Sequence, residues 1–235
     1  MRLTLMALFV CALIGSPLFA DAPDSEVNPQ TGDIETADAT TNASDLDVRI
    51  TIDDGSGNNV VTFLSTHADD DRAPRISIED SGDVWVIWWR DSATDEIVLR
   101  KRPHGSTWDA EQVISEPGES SRNPSIVSDG SDVFMAYEYD SGSDTGIAVY
   151  QEEWQPDPYG IRLTLDTTSY GGDVDVLLFS EDGNVWVTWV DSAGDVAWSE
   201  YDAAGDSWSA TAYESYSADT VEDARSRIRT TVLAP

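Results

Sequence analysis

The chain is nearly without cysteine, histidine and lysine, and each shortage closes a route to function. Its one cysteine, Cys11, lies inside the apolar run LTLMALFVCALIG near the N-terminus. No thiol, disulfide or cysteine-bound metal is therefore expected in the rest of the chain. The two histidines, His67 and His104, stand in separate turn-like stretches and build neither a metal cluster nor a Ser–His–Asp constellation. Lysine occurs once, as Lys101, among 13 basic residues set against 45 acidic ones, for a formal net charge of −32. Such a charge repels nucleic acid and anionic membrane surfaces, so neither is expected as a partner. Nothing beyond the N-terminal run has the unbroken apolar length of a membrane-spanning helix.

What is present begins with an address label. Arg2, the apolar run and then FADA, with Ala20 and Ala22 as a small-x-small pair, read as a signal peptide over residues 1–22. Cleavage near Ala20 or Ala22 implies a secreted or periplasmic protein. Residues 23–45 hold almost no large apolar residue and no period, and read as a disordered acidic linker. The segment DVRITIDDGSGNNVVTFLS follows, two β-branched runs around a Gly/Asn turn, which is a hairpin signal. Residues 46–235 suffice for one well-buried domain.

Within that domain three long repeats begin near PRISIED, NPSIVSD and DVDVLLF, and aligning Trp85, Phe134 and Trp186 gives steps of about fifty residues. Each repeat divides into four short β-rich runs separated by Gly, Asp and Ser. The second run is apolar on both faces, with Trp85, Ile87 and Trp89 on one and Val84, Val86 and Trp88 on the other. A strand apolar on both sides must be covered on both sides. Four-stranded units stacked face to face around an axis achieve this, so the spacing predicts an all-β, β-propeller-like domain. Its blades are expected at about 75–115, 123–166 and 173–213, with the N-terminal hairpin donated to a closing or partner blade. Closure follows either within one chain or by oligomerisation. The C-terminal segment, 219–235, reads either as a short helix over 220–229 or as the first strand of another blade.

After each doubly apolar run comes the same acidic turn: DSATD at 91–95, DSGSD at 140–144 and DSAGD at 191–195. In a blade this turn lies on the face that also carries the links between blades. Asp91, Asp95, Asp140, Asp144, Asp191 and Asp195 thus form a candidate polar binding ring. Arg72, Arg122 and Arg225 recur just before blade starts, in RAPRI, RNPSI and RSRI. They read either as an anion-binding cluster or as partners of neighbouring aspartates. Of nine tryptophans, seven fall in the apolar runs or close turns and read as core. Trp154, in the irregular EEWQPDPYG, is the candidate exposed aromatic contact.

The turns GSTW at 105–108 and GDSW at 205–208 resemble the end of an Asp-box, and the repeats are similar to the BNR repeats of sialidase-like propellers. The match is degenerate. Pro103 stands where the first box has its Asp, Asp202 is one residue out of register, and the second repeat has lost the box. The resemblance implies a propeller fold. It also implies that catalysis would need an arginine triad, a Tyr–Glu nucleophile pair and an acidic Asp, of which no Tyr–Glu pair can be assigned.

No metal site is expected. DSGSD offers only two carboxylates and a hydroxyl where Ca²⁺ takes ~6–8 oxygens, and Asp and Ser also cap turns through their own side chains. The expectation is an exported, non-catalytic propeller that binds a glycan or a protein without a cofactor. The alternative is a reduced sialidase-like glycoside hydrolase.

Abundant carboxylate with almost no lysine marks proteins of high-salt environments, and equally acidic secreted proteins of GC-rich genomes. If brine is the reason, screening of the −32 charge should raise the melting temperature steeply from low to molar NaCl. A melting temperature indifferent to salt would dismiss that origin.

Overall fold

β-Branched and aromatic runs broken every few residues by Gly, Asp and Ser leave the chain no long helical period, and the result is an all-β fold. The computed structural model describes residues 23–42, 45–57, 59–65, 67–151, 161–164, 176–181, 184–190, 196–202 and 207–214. These form four antiparallel sheets, each running in sequence order like a propeller blade. Blade I holds β1 (Asp24–Val27), β2 (Ile34–Asn42), β3 (Asp45–Asp53) and β4 (Asn59–Phe63). Blade II holds β5 (Asp70–Ile78), β6 (Val84–Asp91), β7 (Glu96–Arg102) and β8 (Gln112–Val113). Blade III holds β9 (Ser120–Ser128), β10 (Val133–Asp140), β11 (Thr145–Gln151) and β12 (Ile161–Thr164). Blade IV holds β13 (Leu177–Glu181), β14 (Asn184–Val190), β15 (Val196–Asp202) and β16 (Ser207–Trp208), and β15 also pairs with β17 (Ala212–Glu214).

The doubly apolar strand does what its pattern requires. Val84, Val86 and Trp88 of β6 enter the core between blades I and II, beside Ala37, Val48 and Ile50. Trp85 and Ile87 enter the core between blades II and III, beside Met135, Tyr137 and Tyr150. A third core, with Phe134, Val149, Val187 and Trp189, joins blades III and IV. The first strands lie innermost, β5 beside β1 and β9, and β9 beside β13. Lys101, at the end of β7, is buried over the Trp85 ring (4.2 Å), with Nζ 3.0 Å from Asp83.

The disordered linker expected over 23–45 is corrected. Residues 24–42 supply β1 and β2, which pair with each other and with β3. The expected hairpin forms as β3 and β4 and is completed to a sheet by β1 and β2, so it belongs to a blade of its own. Composition misleads here because blade I buries small side chains against β5, Ala37 among them, and because its polar side chains carry structural hydrogen bonds. Asp24 Oδ2 accepts the N–H of Ile76 (3.0 Å) and Glu26 Oε2 that of Ile78 (2.7 Å). Ser125 Oγ repeats this between blades III and IV, accepting the N–H of Leu178 at 2.9 Å. In the blade I–II seam, Arg102 also clasps the buried Glu35, the register partner of Glu26, at 2.6 Å, and Asn28 donates to it at 3.0 Å. The segment proposed for a C-terminal helix, 220–229, lies outside the described residues.

Burial pushes the Glu26 carboxyl up to about 7, against the pull of the Ile78 N–H and with a further push from Asp24. A carboxyl whose folded pKa is raised binds its proton more tightly in the native state, so stability falls as pH climbs from 4.5 towards 7. Glu26→Gln, which keeps the acceptor and removes the charge, should therefore stabilise the protein relative to wild type above pH 7. The difference should vanish below about pH 4.5, where Glu26 is protonated in both states. Thermal melts of both proteins across this range check it; a constant offset would refute the assignment.

Candidate functional site

The first strand of a blade reaches the axis, so its N-terminal end lines the mouth of the propeller. In β5 and β9 this end carries the same device. Arg72-Ala73-Pro74 and Arg122-Asn123-Pro124 each interrupt the ladder with a register shift against the second strand. Ala73 (φ 50°) and Asn123 (φ 52°) are the positive-φ non-glycine residues among those described. Left-handed backbone costs an L-residue roughly 1–2 kcal/mol, and the following proline disfavours the right-handed alternative. A bulge bends the strand and re-aims the side chains around it. Here it sets Arg72 opposite Trp89, and Arg122 opposite Glu138.

The two arginines differ in their company. Arg72 is neutralised, with Nη2 at 2.8 Å from Asp70 and Nε at 3.3 Å from Asp91. In blade III the position of Asp70 is taken by Ser120, which pairs with Asp140 as Asp70 pairs with Asp91. Ser120 Oγ instead donates to Asp95 Oδ2 at 2.7 Å. Asp140 turns back to accept the N–H of Gly142 at 2.7 Å. Arg122 is thus left half-buried with no carboxylate partner among the described residues. Beside it Asn123 Nδ2 donates to the buried Glu138 Oε1 at 3.0 Å. A guanidinium without a carboxylate partner among the described residues, an amide and a carboxylate converge at this mouth.

The acidic turns have mostly structural duties. Asp95 staples blade II to blade III, since its carbonyl also accepts the N–H of Ser121 at 2.9 Å. Asp144 accepts the Tyr139 hydroxyl at 3.2 Å, while its carbonyl and N–H are both bonded to Ser141. Among the six aspartates of the expected ring, Asp91, Asp95, Asp140 and Asp144 are therefore engaged locally. Asp191, Asp195, Trp154 and Arg225 lie outside the described residues. Asn123 and Glu138 were not singled out from sequence; the recurring Arg-x-Pro, fifty residues apart, is the signal that points to the bulge.

A buried ionic cluster sits nearby on the blade I side. Asp71 Oδ1 accepts from Trp88 Nε1 (2.8 Å) and Arg90 Nε (3.1 Å), and Arg90 Nη2 reaches Glu111 at 2.8 Å. Burial pushes the Asp71 carboxyl up, although Ser65, Arg90 and Trp88 pull it down. Its partners are core residues, and it belongs to the seam rather than to the mouth. Among the described residues no group of three or more His, Cys, Asp or Glu could hold a metal ion.

No protein-family model and no curated protein matches the chain. Solved structures do. A protein of unknown function from Dyadobacter fermentans DSM 18053 shares 14% identity at a TM-score of 0.57, over 71% of this chain and 48% of its own. The Trypanosoma rangeli sialidase, solved with the inhibitor DANA, shares 9% at 0.51, over 81% of this chain and 37% of its own. The polysaccharide lyase Uly1 shares 10% at 0.50, over 82% of this chain and 60% of its own. The chain spans about half the length of the first of these. At such identities the likeness is one of fold, that of the β-propeller, and does not extend to the Asp-box repeats as such.

Removing each arginine separates the two roles. Arg90→Ala leaves Asp71 and Glu111 without their cation and should cost roughly 3–5 kcal/mol. Arg122→Ala breaks no pair and should change stability by no more than about 0.5 kcal/mol. Urea unfolding at fixed salt measures both, and a large loss at Arg122 would show that it is structural.

Proposed function

We propose that this is an exported, non-catalytic propeller that binds a glycan at the axial mouth of blades II and III. The observation that carries the reading is Arg122. In a chain with 45 acidic residues, a half-buried arginine without a carboxylate partner among the described residues has its donors free for a ligand. Its fork suits vicinal oxygens, and the Asn123 amide and Glu138 carboxylate supply the mixed donors and acceptors that sugar hydroxyls need. The same fold houses glycan-directed proteins, the sialidase and the polysaccharide lyase named above among them. Export rests on the signal-peptide pattern of residues 1–22.

Absence of catalysis is supported by the placement of the carboxyls. Glycoside hydrolysis uses a pair of positioned carboxyls, commonly with one pKa raised. The described carboxyls with raised pKa, Glu26 and Asp71, are both committed to the blade I–II seam. At the mouth Glu138 is the carboxyl beside Arg122, and it already accepts from Asn123.

A glycan array probed with the mature protein, run in parallel with fluorogenic sialosides and related glycosides, tests the reading. Retention on a glycan should disappear in Arg122→Ala and survive Asp140→Asn combined with Asp144→Asn, because those carboxylates serve their own turn. Turnover abolished by Arg122→Ala would replace the binding module with a hydrolase. Retention of a protein partner but of no glycan would change the ligand class.

A further inference from the structure

The inner strand of each blade pairs on one side only, so alternate N–H groups point to the axis with no strand to receive them. The registers align these positions across the blades. Ile76 pairs with Val86, Ile126 with Met135 and Leu178 with Val187, at equivalent places in their sheets. The N–H of Ile76 is met by Asp24 and that of Leu178 by Ser125, each from the inner strand of the preceding blade. Asp24 and Ser125 are themselves equivalent, opposite Ala37 and Ala136. The residue at that place in blade II, opposite Ile87, is Arg75.

Arg75 has the wrong polarity for the task. A guanidinium carries five N–H donors and no acceptor, so it cannot receive the Ile126 N–H as Asp24 and Ser125 receive theirs. Ile76 faces the blade I core, so its strand neighbour Arg75 faces blade III, from which Ile126 comes. Arg75 is half-buried, and one Nη1–H returns to the Pro74 carbonyl at 3.0 Å. No carboxylate pairs with it among the described residues, and no side chain among them caps the Ile126 N–H. The blade II–III step therefore brings a cation and a main-chain donor together where the neighbouring steps bring an acceptor and a donor. A buried main-chain N–H is rarely left without a partner.

We propose that a small monovalent anion, a halide or a carboxylate, occupies the axial side of the blade II–III seam, held by Arg75 and the Ile126 N–H. The anion supplies the acceptor that Asp24 and Ser125 supply elsewhere. It lies deeper along the axis than the bulge that carries Arg122 and is independent of the glycan reading. Because the net charge of −32 repels anions at long range, occupancy requires screening and rises with ionic strength.

The ³⁵Cl NMR line width of a NaCl solution, with the mature protein added, tests the site. Wild type should produce excess broadening that bromide displaces. Arg75→Ser, which installs the acceptor of blade III, should fold and abolish it. Arg75→Gln, whose amide oxygen also accepts, serves if the serine variant does not fold. Arg49→Ser, which removes the partner of Asp38 on blade I, should retain the broadening. Displacement by sodium acetate would assign the site to carboxylates, and resistance to acetate would assign it to halides. Equal broadening in wild type and Arg75→Ser would overturn the proposal. No excess broadening in wild type would also overturn it and leave water as the partner of the Ile126 N–H.

Discussion

An innermost strand has a free edge, and the main-chain donors on that edge must be met by something other than a strand. In blades II and IV they are met from the blade before. Asp24 and Glu26 reach across to β5, and Ser125 reaches across to β13. A side chain at one register position thus ties blade I to blade II and blade III to blade IV at the axis, while the apolar faces of the second strands fill the space further out. The geometry of the mouth follows. With the inner strands fixed along their length, their N-terminal ends can carry a left-handed residue and a proline without unravelling, and the bulge holds the arginines at the opening.

The architecture was legible because its cause is periodic. A second strand apolar on both faces recurs every fifty residues, and only stacking satisfies it. Blade I is hidden from such a reading because much of what it buries is small or polar rather than large and apolar. Asp24, Glu26, Asn28 and Glu35 are polar by composition and structural by position, and their partners lie in strand β5, in the turn after it or in strand β7. No local pattern announces such a bond.

The site was half legible. Arg72 and Arg122 stand in the same Arg-x-Pro context, and sequence gives no reason to treat them differently. The difference lies in what surrounds them. Asp70 and Asp91 close on Arg72, whereas Ser120 and a self-capped Asp140 leave Arg122 open. Asp95 shows the same thing from the other side. A turn residue that resembles a ligand contact becomes a staple because Ser120, 25 residues later in the chain, arrives beside it.

Charge is spent unevenly in this chain, and the lysine shows it most clearly. Lys101 is buried against Trp85, with its ammonium held by Asp83 and near Glu79. As the chain contains no other lysine, the folded protein presents no accessible side-chain amine. Glycation by reducing sugars, aldehyde fixation through lysine and ester-activated labels would all lack their usual foothold on it. A protein built this way resists the lysine-directed covalent damage that reducing sugars inflict.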